Sequence, residues 1–153
     1  IHRLARQLSS DHPVAAVGTT SMRTLESLYW LGIKAKMGLL SPSSPVVLSQ
    51  WEAYELPDSL EPREAVECLD RWLEDHTIER LYGKTQLLIV PGYRFRIVDA
   101  LVTNFHQPQS TLLLLVAAFI GDDWKRVYQY ALDHDFRFLS YGDGCLLFRQ
   151  PLR

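Results

Sequence analysis

Residues Val102 to Gly121 read VTNFHQPQSTLLLLVAAFIG. Their opening continues the apolar run FRIVDALV that begins at Phe95, and the two together read as a strand. Pro108 forces its predecessor away from helical backbone, so Asn104, His106, Gln107 and Gln109 are held in a loop. Ser110 or Thr111 then offers an acceptor to the free amides of a helix start. The apolar run Leu112 to Ile120 is nine residues long. A bilayer span needs about 20, so this is a buried helix and no membrane association is expected. The polar side chains at its mouth are thus a cap and the floor of a crevice, and the leucines behind them are the anchor.

The same alternation extends outward. PVAAVG, residues 13–18, is a small-residue apolar run ending at glycine and reads as a buried parallel strand. TTSMRTLESLYWLG follows with Met22, Leu25, Leu28 and Tyr29 at helical spacing, and Gly32 is its natural stop. Beyond it, VVLSQW reads as a strand and PREAVECLDRWLEDH as an amphipathic helix. The stripe of that helix is Ala65, Val66, Leu69, Trp72 and Leu73. TQLLIV, residues 85–90, is a buried strand closed by Pro91-Gly92. A further helix is predicted from about Asp123 to His134, and a strand at 144–148 after the loop FRFLSYGDG. Strands alternating with helices predict an α/β fold: a mixed, mostly parallel sheet with flanking helices, with residues 1–153 as a single domain. Residues 33–61, rich in proline and serine, are expected to form an irregular excursion.

A formal net charge of -2 gives no overall field to draw in a polyanion, so contact with nucleic acid would need a local patch. Cys68 and Cys145 lie far apart, with no CxxC and no secretory leader, which points to a reducing, cytoplasmic setting. The five histidines show no ligand spacing, and no metal is expected.

Ligands of α/β sheets collect at the carboxyl ends of strands, beside the helix starts. Two polar clusters fall at such points. The first is Thr19, Thr20, Ser21 and Arg23, after Gly18. Its amides suit a carboxylate or phosphate and Arg23 can add a charged hydrogen bond, or else Thr20 or Ser21 merely caps the helix. It lacks the glycines of a dinucleotide fingerprint and the Gly-Lys pair of a phosphate loop. The second cluster runs from Thr103 to Thr111. Asn104 can bond an amide or a base edge, and His106 can take or give a proton near neutrality, or else rests as a core histidine on a carbonyl. A third cluster is Arg137 to Gly144, where Tyr141 can stack on a base and Asp143 sits in a turn between two glycines. Asp99 is a carboxylate inside an apolar strand, which needs a partner: it can orient His106 or pair with an arginine. A hydrolase reading of Ser110, His106 and Asp99 lacks a nucleophile elbow.

VGTTSMRTLES at 17–27, PGYRFRIVDALVTNFHQPQSTLLLLVAAFIG at 91–121 and FRFLSYGDGCLLF at 136–148, in this order, resemble the C-terminal half of the S-adenosylmethionine:tRNA ribosyltransferase-isomerase family of queuosine biosynthesis. The resemblance implies transfer and isomerisation of the ribosyl moiety of S-adenosylmethionine onto 7-aminomethyl-7-deazaguanine at the tRNA wobble position. The product is epoxyqueuosine, with adenine and methionine released. S-adenosylmethionine would be a co-substrate, tRNA the macromolecular partner and the full-length enzyme a monomer. Such chemistry needs a general base and a proton donor for departing adenine. On this reading His106, Asp99 and Asp143 are the catalytic candidates. Thr19, Thr20, Ser21, Arg23, Asn104, Phe105, Ser110, Thr111 and Tyr141 are the substrate-binding ones. The chain departs from the family in a longer 33–84 segment, in Gln107 and Gln109 where a leucine and a lysine are usual, and in Gly144 in place of alanine. It also lacks the family's N-terminal half and inserted β-barrel, so a partial catalytic domain, inactive alone, is expected. The alternative is a non-catalytic relative that binds tRNA or a nucleoside.

Overall fold

A computed structural model describes residues 1–150 except Asp11, and the backbone alone of Tyr141. Two parallel pairings set the topology. Strand β1 (Ala15–Val17) lies beside β4 (Ala100–Asn104), with Ala15 opposite Ala100. Strand β2 (Val46–Leu48) lies beside β3 (Gly83–Thr85), with Val46 opposite Gly83. The last strand, β5 (Gly144–Phe148), runs antiparallel to β4 and completes a three-stranded sheet of order β1-β4-β5. The mixed α/β class expected from the alternation is therefore present, but as two small sheets.

The helices are α1 (His2–Gln7), α2 (Thr19–Lys36), α3 (Glu52–Glu55), α4 (Pro62–Asp75), α5 (Thr111–Ile120) and α6 (Asp123–Asp133). Helix α5 starts where its sequence demands, with Ser110 at the N-cap accepting a bond from the Leu113 amide. Helix α4 starts on Pro62 and buries Ala65, Val66, Leu69 and Leu73. Helix α2 corrects an expectation, because it passes through Gly32 and ends at Lys36. The reason is packing. A Cβ at Gly32 would lie 2.0 Å from the Ala65 carbonyl oxygen, so the glycine is the point at which α2 and α4 touch. Helix α1, which the sequence reading passed over, lies on α4, with His2 Nδ1 3.0 Å from Asp70.

The apolar run 85–90 is not a full strand. After Thr85 the pairing continues only through the Gln86 amide to Leu48 O at 3.0 Å and the Leu88 amide to Gln50 O at 3.2 Å. Residues 95–99 are also irregular, and three of their amides go to a side chain while that of Asp99 goes to Val14 O at 2.9 Å. Glu26 of α2 is fully buried; it accepts from the amides of Arg96, Ile97 and Val98 at 2.9 Å each, and from the Tyr93 hydroxyl at 3.1 Å. That carboxylate does the work of a missing strand partner for the segment leading into β4.

In the three-stranded sheet, Ala16, Leu101 and Leu147 face inward and are buried, with α2 against β1 and β4 and α5 against β5. The opposite face is covered at Ala100 but open beyond it. Val17, Val102 and Leu146 lie side by side across the three strands, exposed to 70%, 38% and 54%. Among the described residues no helix is long and apolar enough to cross a membrane.

Candidate functional site

The three polar clusters follow or precede strand ends, and strand register fixes where those ends are. Chain direction puts the carboxyl ends of β1 and β4 and the amino end of β5 on one rim of the sheet. The Gly18 amide bonds the Val102 carbonyl at 2.8 Å, two residues short of Asn104, and Asn104 lies opposite Gly144. The turns at 18–23, 104–110 and 137–143 therefore share this rim, although residues 23 and 137, the nearest edges of the first and last, are 114 positions apart.

The second and third clusters are joined directly. The Leu139 amide donates to Phe105 O at 2.8 Å, and Asn104 Nδ2 donates to Gly142 O at 3.3 Å. Asp143 closes the third turn on itself. Its carboxylate accepts the Arg137 amide at 2.8 Å and lies 3.5 Å from the Arg137 guanidinium. The amide and then the guanidinium bond hold its carboxyl below the usual carboxylate range. Tyr141 belongs to the 3-10 turn Leu139–Tyr141 on this rim, and its side chain lies outside the described residues.

His106 is 8% exposed. Its Nε2 lies 3.1 Å from Thr103 Oγ1, and its amide donates to the Tyr128 hydroxyl of α6 at 3.1 Å. Burial pushes its pKa below the ordinary imidazole value, so the ring is neutral at pH 7. The sequence reading of a histidine satisfied by a backbone carbonyl is replaced by one held through a threonine hydroxyl. Tyr128 and Thr103, which hold His106, were not named as candidates, although Thr103 opens the second cluster. Thr103 was legible as the inward neighbour of Leu101 at strand spacing, but Tyr128 left no signal beyond its place on a helical face.

At the first cluster, Gly18 is the N-cap at φ 88, a backbone that suits glycine, and no side chain caps the helix. The cap alternative for Thr20 and Ser21 is therefore not realised. Thr20 and Ser21 are exposed, Thr19 and Arg23 are half-buried, and the first-turn amides open toward the rim.

Three candidates, Asp99, Phe105 and Ser110, are placed elsewhere or spent. Asp99 precedes β4 while His106 follows it, so the two lie at opposite ends of the strand. The Asp99 carboxylate bonds Arg149 at 2.9 Å and the Val14 amide at 3.0 Å, which makes the arginine alternative the correct one. Phe105 is 3% exposed and packs on Tyr128, Phe136 and Phe138 with ring centroids 5.4 to 5.5 Å apart, in the core and not on the rim. Ser110 is the helix cap and also donates to Gln107 O at 2.8 Å, so the hydrolase triad does not form. Thr111, the first residue of α5, is exposed.

A family profile described as "Queuosine biosynthesis protein" matches residues 1–147. An S-adenosylmethionine:tRNA ribosyltransferase-isomerase of Bradyrhizobium sp. (strain ORS 278) is 54% identical over 80 residues, which are 52% of this chain and 22% of that protein. A protein of the same name from Xanthobacter autotrophicus is 56% identical over 75 residues, 48% of this chain and 21% of that one. The crystal structure of an S-adenosylmethionine tRNA ribosyltransferase from Thermotoga maritima superposes with a TM-score of 0.59 at 34% identity, covering 95% of this chain and 36% of that chain. This chain thus spans about a third of the solved relative's length.

Proposed function

Since the chain belongs to the queuosine biosynthesis protein family, we propose that it supplies one wall of the active site of a tRNA-modifying enzyme. In this reading the ribosyl moiety of S-adenosylmethionine is transferred and isomerised onto 7-aminomethyl-7-deazaguanine in the tRNA anticodon, giving epoxyqueuosine. S-adenosylmethionine is a substrate and no metal takes part. The observation that carries the reading is the single rim shared by the three turns. Where parallel strands end beside helix starts, an open α/β sheet binds its ligand.

Each group has a role that its surroundings suit. The open amides of α2 with Arg23 offer an anion site for the methionyl carboxylate or a tRNA phosphate. Asn104, half-buried beside Gly142, offers an amide to a base or ribose. His106 is a neutral, sheltered imidazole, available as proton acceptor or hydrogen-bond donor to departing adenine. Asp143 supports the rim by tying Arg137, so its contribution is to shape and not to proton transfer.

A second reading is a tRNA- or nucleoside-binding relative without catalysis, and exposed Gln107 and Gln109 at the rim favour it. One assay separates the two. The protein that carries this chain is mixed with S-adenosylmethionine and precursor tRNA, and free adenine is measured. Adenine release is expected; tRNA binding with no adenine formed would establish the second reading. His106→Ala is expected to slow release by roughly 100-fold or more. Near-normal turnover would remove His106 from the chemistry.

A further inference from the structure

The Thr103 side chain sits on the helix-covered face of the sheet, two residues along β4 from buried Leu101, and is itself 8% exposed. Its hydroxyl proton needs an acceptor. Among the described residues the group within hydrogen-bond distance of Oγ1 is His106 Nε2, at 3.1 Å. Were the ring proton on Nε2, Nε2–H would donate to Oγ1 and the buried Thr103 O–H would have nothing to bond. With the ring proton on Nδ1, Nε2 presents its lone pair and the Thr103 hydroxyl donates to it. Only this second arrangement gives the Thr103 O–H an acceptor; His106 Nδ1 bonds no described residue and is not a fully enclosed unpaired atom, so its N–H is left open to solvent or substrate. The Tyr128 hydroxyl fixes the other end of the residue by accepting the His106 amide at 3.1 Å.

We propose that Thr103 is a positioning residue that locks His106 in the Nδ1–H tautomer, so that His106 meets its substrate as a hydrogen-bond donor through Nδ1. This rests on the reading of His106 as part of the site and sharpens it: of the two roles open to the imidazole, the geometry selects donor over base. No proton has to leave the ring. An N–H aimed at a departing adenine would stabilise the negative charge that develops on it. The titratable groups packed around the pair are Tyr128 of α6 and Cys145 of β5, whose thiol lies 3.4 Å from Thr103 O. Burial raises both above their ordinary values, so both are neutral at pH 7 and neither biases the ring by charge.

The test is nitrogen NMR of the imidazoles in ¹⁵N-labelled protein, where the protonated and bare ring nitrogens differ widely in shift. In the unsubstituted protein above its titration, His106 is expected to carry its proton on Nδ1. Finding it on Nε2, or averaged over both, overturns the proposal without any variant. Thr103→Val keeps the side-chain shape and removes the hydroxyl. It is expected to move the tautomer ratio toward Nε2–H by roughly tenfold, about what one hydrogen bond is worth. Thr103→Ser should restore the original ratio, and an unchanged ratio in Thr103→Val sinks the assignment. Adenine release is read separately: Thr103→Val is expected to lower kcat with KM retained. If His106→Ala releases adenine at the normal rate, the donor role falls with the functional reading, whatever the tautomer spectrum shows.

Discussion

Glu26 is the side chain that holds the segment leading into β4. Burial pushes its carboxyl above the usual range, while three amides and the Tyr93 hydroxyl pull it back. All four bonds are received, so the site suits an acceptor with no proton of its own. Glu26→Gln turns an NH2 group toward those amides. It is expected to lower the unfolding free energy by about 3 kcal/mol, read from urea denaturation. His106 gives a pH dependence of definite sign. Its folded pKa is depressed, so the unfolded chain binds the proton more tightly. Stability from the neutral ring is complete above the unfolded value near 6.5 and is lost as pH falls through that value toward the folded one. The urea midpoint should therefore drop as pH falls through about 6.5, and His106→Gln should flatten that drop. The three polar turns were legible from their position beside strand ends. Their division into rim and core was not. Asp99 and Asp143 look alike in sequence, and only the fold shows that both are held by arginines.

Helix α2 shows why elements were easier to recognise than their ends. Its spacing predicted a helix from Thr19, and the helix is there, but the predicted stop at Gly32 is a contact instead. A glycine that ends a helix and one that lets another helix approach look the same until the partner is known. Gly32→Ala forces the new methyl onto the Ala65 carbonyl and must push α2 and α4 apart. A loss on the order of 2–3 kcal/mol is expected, with helical content retained in circular dichroism. Ser110→Ala, by contrast, removes a cap the sequence announced, and thermal unfolding should show a loss of about 1 kcal/mol. The segment 95–99 was read as strand because it is apolar. It is apolar because it is buried, while the amides of Arg96, Ile97 and Val98 are taken by Glu26 and not by a neighbouring strand. Hydrophobicity reports burial; it does not report which acceptor satisfies the backbone.

At the scale of the molecule the two faces of the β1-β4-β5 sheet are unequal. One is covered by helices, and the other presents Val17, Val102, Leu146 and Phe148 to solvent. Apolar side chains in register across three strands form a contiguous patch, unlike the scattered leucines of an ordinary surface. Val102→Lys, on the 38% exposed central position, is expected to reduce binding of a hydrophobic dye and leave the thermal midpoint nearly unchanged. The pairing of Ala15 with Ala100 has a kinetic consequence. Those two residues meet only after a loop of more than eighty intervening positions has closed, whereas α5 and α6 are neighbours along the chain. Long-range closure is slow, so refolding should show early helical signal followed by a later phase in which the central strand finds its parallel neighbour. Until that phase ends, the rim that gathers the three turns does not exist.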